Sequence, residues 1–313
     1  GNYNISDNKQ DTANPFLFDL KGVNIKNFHV NYINKAKALE ANLLVDNLNF
    51  EGNISRINYQ LKAYGNAHIH SVSNHDILYL SDQSFKTNVS LQVKENLFSI
   101  SQGDIEIGAL IADITGEFLL SEGAADLNLE LAGKKVDVAW LSNILKKNGV
   151  SAVDKINGSG KIDLNAKISG LASSTLTPHI QTSFSTQGAA FDIDGFKYPI
   201  KSLDISGSFN NGIRNSGTTS KLDISSFHAL VSDSDISGSL AIQNFQLPRF
   251  TLSLLGELQL EDLISLVPEL PLNKVKGTLY PDIQVNGLIT GLGNDKQGIS
   301  FIPQGSLSLH DCG

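Results

Sequence analysis

Apolar and polar residues alternate along most of this chain, and that period of two constrains the fold more than any motif does. Phe85, Thr87, Val89, Leu91 and Val93 fall on one side of a strand, with Lys86, Asn88, Ser90, Gln92 and Lys94 on the other. Strand side chains point alternately to opposite faces, so the pattern predicts half-buried antiparallel strands with one wet face. Parallel strands covered on both sides would instead read as unbroken apolar runs. Residues 1–15 are polar and read as a flexible leader. Alternation then recurs through Val23–Tyr32, Leu39–Phe50, Ile57–Tyr64, Ile114–Leu120 and Ala125–Leu131. NG, SG, EG and QG steps punctuate these runs and predict the turns of a meandering sheet.

Two stretches break the period. Val136–Lys147 places Val138, Leu141, Ile144 and Leu145 at helical spacing, with Asp137 before them and Lys146 and Lys147 after. That charge order complements a helix dipole. Leu258–Leu266 has the same character and is stopped by Pro268. Each helix is followed by similar β grammar: Ile156, Gly158, Ile162, Leu164 and Ile168 in one case, Val275, Gly277, Leu279, Ile283 and Val285 in the other. A shorter echo links Ser202–Phe209 with Ser234–Leu240, each read as a strand, a glycine and a strand. Such repeats predict an architecture extended by accretion. The expected organisation is a leader at 1–15, an N-terminal β region at 16–135, a helix-plus-β unit at 136–257 and a shorter second unit at 258–313. The expected fold class is all-β: an elongated, curled or sandwich-like antiparallel sheet with two short amphipathic helices at its edges. A sheet this long must hide its apolar face as a sandwich, a barrel or a trough, and alternation alone does not choose among them.

Charge narrows the partners. The chain carries 24 basic and 32 acidic residues, a formal net charge of −8, with no dense Lys/Arg cluster and no nucleic-acid-binding motif. An acidic protein is repelled by anionic headgroups, so contact with lipid is expected through apolar surface. The single cysteine, Cys312, excludes an intramolecular disulfide framework. No apolar run reaches the length of about 18 residues that a spanning helix needs.

Candidate chemistry is thin. His68, His70 and His75 cluster near Asp76, but a zinc site needs three or four converging ligands, and a solvent-facing strand and turn is the better reading. Asp192/Asp194 and Asp233/Asp235 sit in turn-like sequence and read as turn formers rather than paired catalytic carboxylates. There is no G-x-S-x-G elbow, and Gly287–Gly291 lacks the lysine of a phosphate loop. The expectation is therefore no enzyme activity, no catalytic or metal residues and no cofactor. The edge helices supply the candidate lipid- or partner-contacting residues, Trp140, Leu141, Ile144, Leu263 and Leu266. For Trp140 a lid over a sheet end is weighed against a plug that touches lipid. A carbohydrate-binding or adhesin-like module is the alternative, and 7% aromatic content makes an aromatic sugar platform thin.

Several segments resemble the AsmA-like family of bacterial envelope proteins, in its Bacteroidetes style. Asp19–Phe28, His29–Tyr32 and Leu39–Phe50 resemble the family's recurring strand pair, although Asn34 stands where an acidic residue is common. Phe98–Leu110 with Ile114–Phe118 resembles a family hairpin. Val138–Leu145 with Ile156–Leu171 resembles its helix-then-strands unit, and Leu258–Val267 with Val275–Leu292 repeats it. The likeness covers about residues 16–310 and consists of degenerate β grammar rather than a sharp motif. It implies a periplasmic β region tethered to the inner membrane by an N-terminal helix not contained in these residues. It also implies a structural or lipid-handling role in outer-membrane biogenesis or lipid homeostasis, with phospholipid or other envelope proteins as partners.

Overall fold

The structure is a computed structural model that describes residues 17–34, 39–55, 58–74, 77–147, 154–173, 175–194, 198–261, 276–290 and 298–311. Sixteen strands form one antiparallel sheet. The first seven are β1 (Leu17–Asn34), β2 (Leu39–Ser55), β3 (Asn58–Asn74), β4 (Ile77–Lys94), β5 (Leu97–Ile107), β6 (Leu110–Ser121) and β7 (Ala124–Asp137). Helix α1 (Val138–Lys147) follows, then β8 (Ile156–Ser159), β9 (Lys161–Ser173), β10 (His179–Ile193) and β11 (Ile200–Asn210). The sheet ends with β12 (Lys221–Val231), β13 (Ser234–Gln243), β14 (Arg249–Gln259), β15 (Thr278–Thr290) and β16 (Gly298–His310). Strands are neighbours in chain order throughout; only β8 leaves the path, pairing with β10. β1 and β16 do not pair with each other, so the sheet is curled but not closed. Fourteen inter-strand steps make it about 67 Å from edge to edge, at ~4.8 Å per step.

The registers carry one apolar face across the whole sheet. A row near the middle of β1–β4 reads Ile25, Leu48, Gly65, Thr87. Another, farther along, runs Leu222, Ile242, Phe250, Gly287, Phe301 from β12 to β16. The opposite face holds polar ladders. Asn24 donates to Asn47 and Asn49, Lys86 pairs with Glu106 at 2.8 Å, and Lys167 pairs with Glu130 at 3.2 Å. Such cross-strand pairs each contribute roughly 0.2–1 kcal/mol and keep that face in water.

The strands outrun the expected turns. Several small-residue steps read as turns lie inside strands: Glu51-Gly52 in β2, Gln102-Gly103 in β5, Ser206-Gly207 in β11, Ser237-Gly238 in β13 and Asn286-Gly287 in β15. The reason is lateral packing. Phe184, Phe227 and Phe250 stand directly opposite Gly207, Gly238 and Gly287 on the neighbouring strands, and each ring fills the space a Cβ would take. Bulges at Leu20/Val23, Ser90/Leu91, Ser206/Gly207 and Ile224/Phe227 add local bends.

Helix α1 begins two residues later than the sequence suggests, because Val136 and Asp137 still pair with Ile162 and Lys161. Asp137 caps it: its carboxylate accepts from the Trp140 backbone N–H at 3.0 Å and from Lys161 at 2.9 Å. The backbone donor and then the ammonium hold its carboxyl below the usual carboxylate range. A depressed folded pKa contributes stability that is present above the ordinary carboxylate pKa and lost as pH falls through the folded one. Asp137→Ala is therefore expected to cost about 1 kcal/mol at neutral pH and progressively less under acid, read from urea unfolding at several pH values.

Candidate functional site: an open apolar trough

The core is unevenly placed. Val45, Ala67, Ile69, Ala112, Val136, Val138, Ala189, Ala229, Val231, Leu258 and Leu260 are all buried, and all lie toward the rim of the sheet that carries α1. Toward the opposite rim only Val93 and Pro248 are buried apolar side chains among the described residues. Elsewhere the face is half-wet: no described phenylalanine is buried, including the inward Phe50, Phe85, Phe98, Phe184, Phe227 and Phe250. A sandwich or closed barrel would bury such rings between two layers. Here neighbours on the same face cover them only in part.

α1 closes one side. Trp140 Nε1 donates to Gln83 Oε1 at 2.9 Å, and its indole rests on Gly108 in the β5–β6 turn. Lys147 Nζ donates to Ser81 Oγ at 3.0 Å, and Lys146 reaches Asn157 at 3.4 Å. A ten-residue helix is about 15 Å long. β4 and β7 are three strand spacings apart, about 14 Å, so the helix has the length to bridge them across the rim. Val138 packs beside Gly158 and Phe191, where an added Cβ would come within 2.7 Å of Val138 and 2.6 Å of Phe191.

Trp140, Leu141 and Ile144 are thus brought together on a half-buried lid along the trough's rim. Leu263 and Leu266 lie outside the described residues. Of the two expected edge helices the described residues show one, α1; of the second stretch Leu258 and Gln259 belong to β14, only Leu260 and Glu261 are helical, and the rest lies outside the described residues. Val138 and Leu260 are held alike. Val138 N–H donates to Gly160 C=O at 3.1 Å, and Leu260 N–H donates to Gly277 C=O at 3.0 Å. Val136 and Leu258 are buried beneath these two points, two residues before them.

The other candidates resolve into surface structure. His68 Nε2 meets Asp82 at 2.8 Å, and the His70 ring stacks on His29 with centroids 6.2 Å apart. No group of three or more potential metal ligands occurs among the described residues; His75 and Asp76 lie outside them. Asp235 pairs with His228 at 2.7 Å, and the Asp194 N–H is used by the Lys155 carbonyl. Also on the polar face, Tyr64 is bonded to Glu51 and Tyr280 packs edge-on against His310. Sequence reading missed the seats of the lid, Gln83 and Gly108, because only the register brings them under Trp140.

The fold and this face define a class: an open, curled antiparallel sheet with one partly wet apolar face and a helix along one rim. Compared with protein-family models, curated proteins and solved structures, the chain matches none.

Proposed function

We propose that this chain is a non-enzymatic envelope protein whose trough shelters the acyl chains of phospholipid, in the periplasm, in support of outer-membrane biogenesis or lipid homeostasis. The observation that carries the proposal is the apolar face running from β1 to β16, which no second sheet among the described residues covers and whose Leu, Ile and Phe side chains stay half-wet. Apolar area removed from water contributes roughly 25 cal/mol per Å², so a face of this kind gains by taking up a hydrocarbon ligand. An acyl chain asks for no directional bonds, which fits a surface built of side chains with few polar atoms. The resemblance to AsmA-like proteins supports the compartment and the tether.

Native mass spectrometry of the purified protein tests this reading. Phospholipid is expected to co-purify, and Leu240→Glu, which puts a carboxylate on the apolar face of β13, is expected to lower its occupancy at least about tenfold, since a buried unpaired charge costs several kcal/mol. Empty protein in both cases would sink the proposal.

A further inference from the structure

The rim opposite α1 is a built surface of its own. Three segments meet there: residues 175–178 before β10, the loop 211–220 between β11 and β12, and the turn 244–248 between β13 and β14. The middle loop ties the outer two together. Asn211, a buried side chain, donates to the Pro178 carbonyl at 2.8 Å and accepts from the Ile180 N–H at 2.9 Å. Asn215 donates to the Thr177 carbonyl at 3.0 Å and touches His179 at 3.0 Å. On the other side, Phe245 N–H donates to Gly217 C=O at 2.8 Å, and Asn244 N–H to Ser220 C=O at 3.0 Å. Ser220, also buried, donates to Ser216 C=O at 2.9 Å.

This knitted lip holds apolar side chains out in water. Ile213 is 94% exposed, Leu176 50%, Leu247 43% and Phe245 40%. Single exposed leucines are ordinary, but four apolar tips on one hydrogen-bonded lip mark an interaction surface. Its charge is equally distinctive. Residues 175–180, 211–221 and 244–249 contain Arg214, Lys221 and Arg249 and not one Asp or Glu, in a chain whose net charge is −8. All three cations are exposed, and none forms a salt bridge among the described residues. Lys221 and Arg249 flank Gln243 on adjacent strands.

From this we infer that the lip docks on the surface of an anionic lipid bilayer. Leu176, Ile213, Phe245 and Leu247 enter the boundary between headgroups and acyl chains, and Arg214, Lys221 and Arg249 meet the phosphates. Apolar tips with a cationic collar fit that interface. The net acidity of the chain, which alone predicts repulsion, is locally reversed. The inference stands independently of what fills the trough.

Sedimentation with vesicles tests it. The protein is expected to pellet with vesicles of equimolar phosphatidylcholine and phosphatidylglycerol, and to bind pure phosphatidylcholine vesicles far more weakly. Ile213→Asp removes an almost fully exposed side chain, so it spares the fold, as unchanged Trp140 emission would verify. It is expected to weaken binding at least about tenfold. Arg214→Ala and Arg249→Ala are each expected to weaken it about fivefold, with the effect shrinking in high salt. Ile111→Asp, an exposed position on the opposite rim, is expected to change nothing. Three outcomes overturn the inference: no binding of the unaltered chain to anionic vesicles, equal binding by Ile213→Asp, or equal loss from Ile111→Asp. Leu240→Glu is expected to leave vesicle binding intact while emptying the trough, so failure of either reading shows separately.

Discussion

Gly238→Val is expected to destabilise the protein by about 3 kcal/mol or more, the largest effect of any single substitution considered. Gly238 lies in the middle of β13, opposite Phe227 on β12 and Leu254 on β14. A Cβ there would run into the Ser253 backbone oxygen and come within 2.8 Å of Phe227 Cζ. Backbone cannot step aside without breaking the ladder, and the ring cannot rise without standing up into the trough. The damage should spread to β12 and β14 and appear as a lower urea midpoint together with faster amide exchange in those strands. Gly217→Ala is the contrasting case. Its Cβ would meet only Gln246 Cγ, at 3.6 Å, so a change within about 0.5 kcal/mol is expected. Equal effects at the two glycines would contradict the packing described for the apolar face.

Trp140→Ala is expected to cost about 2 kcal/mol and to free α1 from β4. The figure sits below the roughly 3–5 kcal/mol of a fully buried tryptophan because the indole is only half-buried. What is lost is the stack on Gly108 and the bond to Gln83, which together hold the lid to a strand 57 residues away. Trp140 is the chain's only tryptophan, so its emission reports directly on the lid. Gln83→Ala, which leaves the indole in place but removes its acceptor, is expected to cost about 1 kcal/mol and to shift emission to the red. An unshifted spectrum in that variant would mean that Gln83 does not seat the indole.

The alternation around Val89 was enough to read an antiparallel sheet with one apolar face, since period two survives any register that pairs like faces. The helix from Val138 was legible from its spacing and from Asp137. Its exact start was not, because Val136 satisfies a strand and a helix pattern equally well and the pairing with Ile162 decides. Glycine steps misled for a local reason. Ser206-Gly207 looks like a turn until the strand opposite supplies Phe184, and the partner is 23 residues away in sequence. The choice among sandwich, barrel and trough was closed to the sequence, because it depends on whether β1 meets β16. The lip around Ile213 was invisible for the same kind of reason. Its three segments are unremarkable singly, and only the order of β9 to β14 sets their cations and apolar tips side by side.

The central claim, that the apolar face is an open lipid-holding trough, is tested most directly by photo-crosslinking at two adjacent residues of β13. Leu240 belongs to the apolar face and Ser239 to the polar one. With a benzophenone side chain placed at each in turn and the protein irradiated in the presence of phospholipid, adducts are expected at position 240 and not at 239. Adducts at neither position, or equally at both, would contradict the account.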